Sequence, residues 1–295
     1  MKANFYDSDL SDANLSGANL AGAQLSFSRL IGANLAGARL AGAFLKLADL
    51  TNADLTGADL SGATLIGANL TGAKFAGANL TGARLTNLVK DDALASEEGA
   101  ILEFINFTDT DFTRAVLDEA NLAYTILTDV NLSGASLVFA DLTGASLTNA
   151  NLDDANLSWA NLTETKLLNA NLSNANLWNA SLSSVDAERA NFTGASLYQV
   201  ILDGAILANT QLMNAGFQRA SLANAILVNA DLTGASLRDA DLTGANLSGA
   251  ILKNANLAGA NLTRADLSVA DLTGADLTGA VLKRANLDGV VGYKP

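Results

Sequence analysis

Leucine or phenylalanine recurs at every fifth position from Phe5 to Leu85, and again, with the phase moved by two, from Leu102 to Leu287. The first series has 17 such positions and the second 38; of these 55, 48 are Leu, six are Phe and one is Ala187. Two residues before each, Phe107 with its Ile105 excepted, stands a small residue, usually Ala, as in Ala53-Asp54-Leu55-Thr56-Gly57, so the consensus reads Ala-(Asn/Asp)-Leu-(Thr/Ser)-Gly. A period of five suits neither regular element. On an α-helix each residue turns about 100°, so successive Leu would advance by about 140° and cover every face. On a straight strand side chains alternate with period two, and an odd repeat would send neighbouring Leu to opposite sides. Both conflicts vanish if Ala-x-Leu is a short extended segment with Ala and Leu inward and x outward, and the next two residues turn a corner. The chain then coils, Ala stacks on Ala and Leu on Leu at roughly 4.8 Å per coil, and each coil is supported by its neighbours.

The corner argument leaves open whether a coil has three sides or four. These pentads, repeated over nearly the whole chain, resemble the pentapeptide-repeat family. That resemblance implies an all-β solenoid, a right-handed quadrilateral β-helix with four pentapeptides per coil. Four units per coil would give about 14 coils and a rod of roughly 65 Å at the strand spacing.

One interruption separates the two series: the twelve residues 88–99, Leu-Val-Lys-Asp-Asp-Ala-Leu-Ala-Ser-Glu-Glu-Gly. Twelve is two pentads and two residues, which accounts for the phase shift. Asp91 or Asp92 can cap a helical turn through Ala93 to Glu98, with Gly99 ending it and Glu97 and Glu98 on its surface. The expected organisation is an N-terminal solenoid over 1–87, a loop or short helix over 88–99, a C-terminal solenoid over 100–289 continuous with the first, and a tail over 290–295. Two abutting solenoids are the alternative. Corner loops serve function in some quinolone-resistance members of the family, which marks the insertion as a candidate functional element.

Composition removes most chemistry. The chain has no Cys and no His, which excludes thiol nucleophiles, disulfides, thiolate or imidazole metal ligands and every imidazole-based triad. Its carboxylates stand mostly at the outward x; Asp266, Asp271 and Asp276 fall on three successive faces of a coil and cannot converge on a substrate or metal. No enzymatic activity, cofactor or metal is expected. The Asn-Leu-Ser/Thr triplets, as at Asn14, Asn69 and Asn161, are generated by the consensus itself, and Gly57, Gly62 and Gly67 are corner residues rather than a phosphate loop. Seventeen basic against 30 acidic residues give a net charge of −13, which disfavours direct nucleic-acid binding. No stretch approaches 18 uninterrupted apolar residues and the opening residues lack the apolar core of a signal peptide, so the expected location is the cytoplasm, without membrane contact.

Candidate functional residues are those that depart from the repeat. Phe139, Trp159, Trp178 and Tyr198 follow Leu137, Leu157, Leu177 and Leu197, spaced by twenty, so four-sided coils would place them in one exposed ladder about 15 Å tall. Phe104 and Tyr124 would form a shorter ladder on the adjacent face. Exposed Trp and Tyr are common anchors of protein interfaces, although aromatic neighbours in adjacent coils also stabilise one another. Residues 103–164 carry ten acidic residues, Glu103, Asp109, Asp111, Asp118, Glu119, Asp129, Asp141, Asp153, Asp154 and Glu164, against the single basic Arg114. A field of that sign attracts a basic partner. Outward Ile201, Ile206, Ile226 and Ile251 interrupt the polar surface, with Ile206 and Ile226 expected one above the other. The expected function is a non-catalytic scaffold presenting a protein-binding face to an unidentified partner, as the resemblance implies for many bacterial and cyanobacterial members. One alternative is a DNA mimic acting on a type II topoisomerase, DNA gyrase, of the quinolone-resistance type; another is a purely structural scaffold. Both ends of a solenoid expose unpaired backbone, so a monomer or an end-to-end dimer is expected.

Overall fold

The computed structural model describes residues 2–85, 107 and 110–293. The insertion at 88–99 and the helical turn expected in it, with Asp91, Asp92, Glu97 and Glu98, lie outside the described residues, as do Glu103, Phe104 and Asp109. The chain divides into two compact units, Met1–Ser146 and Leu147–Pro295.

Each pentad forms one extended position and one turn. The peptide N–H of Ala58 donates to the carbonyl of Leu55 at 2.9 Å, closing a four-residue β-turn whose third residue, Gly57, has φ of +65°. A positive φ at that position is the requirement of type II turns and explains the consensus glycine. Where glycine is missing, Asn, Asp and Arg usually take its place, as at Asn174, Asp154 and Arg219.

The outward x residue has a task beyond solubility. Asp54 accepts the N–H of Thr56 at 3.0 Å, and Asp241 accepts both the N–H (3.0 Å) and the hydroxyl (2.5 Å) of Thr243. An Asn or Asp that binds the backbone two residues on holds the turn. This accounts for Asn/Asp and Thr/Ser at their consensus positions.

Parallel bridges pair residues twenty apart, such as Asn34↔Asp54 in the first unit and Asn171↔Asn191 in the second, so each coil has four sides. Inside a unit an extended position is bonded to both neighbouring coils: Leu55 donates to the carbonyl of Lys74 on one side, and Asp54 to that of Ala33 on the other. Side-chain amides add a second ladder, with Asn191 donating to Asn171 and Asn171 to Asn151 at 3.1 and 3.0 Å.

Inside, Leu and Ala are fully buried from Ala23 through Leu85 in the first unit and again through the second as far as Leu272. Ala187 occupies a Leu position at 0% exposure beside Val185, which stands where Ala is usual, so the lost volume is partly restored two residues earlier. Buried hydroxyls at the small position are satisfied locally: Ser28, Thr125 and Thr210 donate to the carbonyls of Leu25, Leu122 and Leu207. In the first unit one coil departs from the twenty-residue count. Lys74 pairs with Asp111, Asn79 with Val116 and Arg84 with Asn121, a separation of thirty-seven residues. Phe75 stacks on Phe112 (centroids 5.0 Å, planes 22° apart) and Phe107 tilts against the same ring at 5.6 Å, filling the core there.

Candidate protein-binding face

Within the second unit, Trp159, Trp178 and Tyr198 stand at one corner in successive coils, as the bridges Asn156↔Asn176↔Ser196 require. Their positions in the turn differ. Trp159 is the third turn residue, with φ of +62°, whereas Trp178 and Tyr198 are the second. Trp159 and Trp178 are about half exposed, at 51% and 47%, and Tyr198 is half-buried. The Trp178 and Tyr198 rings meet edge to face, with centroids 6.1 Å apart and planes at 67°. The turn backbones form a continuous run of hydrogen bonds: Trp159 donates to Trp178 (2.9 Å), Asn179 to Tyr198 (3.1 Å), Gln199 to Gln218 (3.0 Å) and Arg219 to Arg238 (3.0 Å). The column is therefore held by the scaffold rather than by a free loop. Arg219 extends it, its guanidinium donating to the Tyr198 hydroxyl at 3.2 Å.

Phe139, 58% exposed, belongs to the first unit. Tyr124, also there, lies with its ring against Gly144 of the next coil. On its other side the adjoining extended segment is that of Arg84, which bridges Asn121. Ile206 and Ile226 pair directly, and Ile201, Ile206, Ile226 and Ile251 are all exposed.

The acidic section resolves into two groups. Asp111 and Asp141 cap the turns of Thr113 and Thr143; Asp118 reaches the Ser136 hydroxyl and the Val138 N–H of the next coil, and Asp153 the Ser173 hydroxyl. These carboxylates stabilise the scaffold. Glu119, Asp129, Asp154 and Glu164, all third turn residues with positive φ, are exposed. The turn-capping role has an electrostatic signature. The hydroxyl and N–H of Thr56 hold the Asp54 carboxyl below the ordinary aspartate range, and the N–H and hydroxyl of Ser268 do the same for Asp266. Among the described residues no group of three or more carboxylates is placed to hold a metal ion, and no helix is long and apolar enough to cross a membrane.

The repeat is matched by the family model for pentapeptide repeats, in overlapping stretches that together span 1–87 and 100–289. The chain belongs to the pentapeptide-repeat family. The four-sided coils are accordingly those of a right-handed quadrilateral β-helix. Among solved structures, the pentapeptide-repeat protein HetL from the cyanobacterium Nostoc sp. PCC 7120, involved in heterocyst differentiation regulation, is 34% identical over 79% of this chain and 89% of its own, with a TM-score of 0.30. A pentapeptide-repeat protein of the Arabidopsis thaliana thylakoid lumen is 38% identical over 30% of this chain and 61% of its own, with a TM-score of 0.29. The plasmid-mediated fluoroquinolone-resistance protein QnrB1 is 16% identical over 89% of this chain and 90% of its own, with a TM-score of 0.25. No curated protein matches.

This pentapeptide-repeat chain carries a second aromatic cluster, outside the candidate residues named from the sequence. In the first unit Tyr6 and Phe27 make a ring contact at 5.4 Å, and Phe44 is exposed nearby on the same side of the coil. Leu47 repeats the Phe27 turn position one coil on, with φ of +58°, and Ile66 follows at the next coil. For Tyr6, Phe27, Leu47 and Ile66 the signal is the same as for Trp178 and Tyr198, large apolar residues one or two places after the repeat Leu or Phe and spaced by about twenty, whereas Phe44 stands at the outward position before Leu45.

Proposed function

We propose that the protein is a non-catalytic scaffold that presents an aromatic column and an acidic surface to a protein partner. The observation that supports this most is the column Trp159, Trp178 and Tyr198. Large rings stand half exposed at turn positions where the repeat ordinarily places Thr, Ser, Asn or Gly, and Trp and Tyr dominate interface energetics. Trp159 also holds a left-handed backbone conformation that costs a non-glycine residue about 1 kcal/mol or more. Phe139 and Tyr124 in the first unit, and the exposed Glu119, Asp129, Asp154 and Glu164, are further candidates for the binding surface.

The test is quantitative capture from the source organism's lysate with the wild-type protein and a Trp159→Ala, Trp178→Ala variant of unchanged circular dichroism and melting. A defined partner retained by the wild type and lost by the variant is the expected result. Equal capture by both would remove the column from the interface. Capture of a gyrase subunit, followed by altered supercoiling at micromolar protein, would favour the DNA-mimic alternative. No partner at all would leave a structural scaffold.

A further inference from the structure

The aromatic column continues into positive charge. Along the same corner of the second unit, Trp159, Trp178 and Tyr198 are succeeded by Arg219 and then Arg238 in the next two coils, their turn backbones hydrogen-bonded in series. Arg219 donates to the neutral Tyr198 hydroxyl and has no carboxylate within ion-pair distance among the described residues. Arg238 sits 3.6 Å from Asp239 in its own turn. The extended positions beside this corner are Ser196, Gly216 and Ser236, small residues that form a low floor, with the Gln218 side chain folded back over Gly216. In a chain of net charge −13, this corner thus pairs exposed rings with two guanidiniums against the single carboxylate of Asp239, which sits beside Arg238.

We propose that this corner docks an extended acidic segment of a partner protein, with an apolar side chain against Trp178 and Tyr198 and a carboxylate on Arg219. The inference rests on the protein-binding reading above and fixes the partner's chemistry at this corner, where the sign is opposite to that of the exposed carboxylates of residues 103–164. Charge complementarity selects the occupant. A carboxylate meets Arg219 with a charge-assisted, bidentate bond, while a basic segment would be repelled at the end of the column. Geometry sets the spacing. Two coils span about 9.6 Å, and three residues of an extended polyproline II chain, whose side chains return to the same side every third residue, span about 9.3 Å, so an apolar residue opposite Trp178 places the third residue after it opposite Arg219. A nucleic-acid strand could also stack on the rings, but the net negative charge opposes its phosphates.

The protein carries its own reporter, because its two tryptophans are both in this column. The probes are a synthetic peptide alternating leucine and aspartate, the same peptide with lysine for aspartate, and an oligothymidylate. With full-length protein, the leucine–aspartate peptide is expected to shift the tryptophan emission to shorter wavelength and saturate. Arg219→Glu should weaken that binding by about tenfold or more, the loss of one charge-assisted bond. Arg238→Glu should weaken it less, and the lysine peptide should bind the Arg219→Glu protein better than the wild type. Equal binding of the two peptides to wild type, a larger response to oligothymidylate, or no emission shift with any probe would each overturn the proposal. The parent reading falls separately: it is decided by the tryptophan double variant in the capture experiment, and a partner lost on Trp→Ala but indifferent to Arg219→Glu would sink only the acidic-segment inference.

Discussion

Every turn in this fold asks its third residue for a left-handed backbone, and the residue found there reveals what each corner is for. Glycine meets the demand without cost, and Asn or Asp tolerates it. Val269 meets it with a β-branched side chain at φ of +51° while remaining 64% exposed, so it accepts strain with little burial in return. Val269→Gly is expected to raise stability by about 1 kcal/mol, read from urea unfolding; a lower midpoint would show that the valine packs in a way its exposure conceals. One residue after each small position, the x residue caps the turn. Asp54→Ala should cost about 0.5–1.5 kcal/mol while Asp54→Asn, which keeps an accepting oxygen for Thr56, should cost little; equal losses would mean that charge and not the turn bond matters. The carboxyls of Asp9, Asp54, Asp266, Asp271 and Asp276 are all depressed, in each case chiefly by hydrogen bonds from the hydroxyl and N–H two residues on. A depressed folded value means that the stabilisation is complete above the ordinary aspartate value of about 3.9 and is lost as pH falls through the lower folded values. The urea midpoint should therefore hold between about pH 7 and 5 and drop below about pH 4, a profile measurable by tryptophan emission; a midpoint unchanged to pH 3 would show that these bonds do not distinguish folded from unfolded chain.

At the scale of the coil, the five-residue period alone excluded helix and straight strand and put Leu and Ala inside, as they are. What composition and spacing left open was the number of sides, because nothing in a pentad records how many corners close a loop; the pairing of residues twenty apart supplies that. The polarity of the x position predicts only that it faces outward, because a sequence does not show that Asp241 points its oxygen back at Thr243. The aromatic column was legible for Trp159, Trp178 and Tyr198 since twenty-residue spacing translates directly into stacking. The phase of the Leu series cannot reveal that the coil from Lys74 to Asp111 takes thirty-seven residues, which sets the Tyr124 turn beside the chain of Arg84. The Tyr124 ring covers Gly144, where a Cβ would lie 2.5 Å from a ring carbon and the backbone has φ of +63°. Gly144→Ala should destabilise by about 1–2 kcal/mol from backbone strain plus displacement of the ring. In a Tyr124→Ala background only the backbone part should remain, so a cycle of the two substitutions measures the coupling. Additive costs would show that the ring does not rest there.

Among the described residues of each unit, no hydrogen bond of the regular ladder reaches beyond the adjacent coil, which makes stability a chain of neighbour interactions rather than one shared core. A lesion should then spread by contact and fade with distance. Leu222 is fully buried in the second unit, with Leu202 and Leu242 in the coils on either side. Leu222→Asp would bury an unpaired charge among closely packed leucines, a cost of several kcal/mol that a globular core would distribute over the entire molecule. Here amide exchange is expected to accelerate most in the coils of Leu202, Leu222 and Leu242, less in the coils beyond them, and not at all around Leu35 to Leu55 in the first unit. Uniform acceleration along the chain would contradict the nearest-neighbour picture. A confined one would also identify the second unit's aromatic corner as a site that can be weakened or rebuilt coil by coil, because Trp178, Tyr198 and Arg219 draw their positions from the turn backbones immediately above and below them.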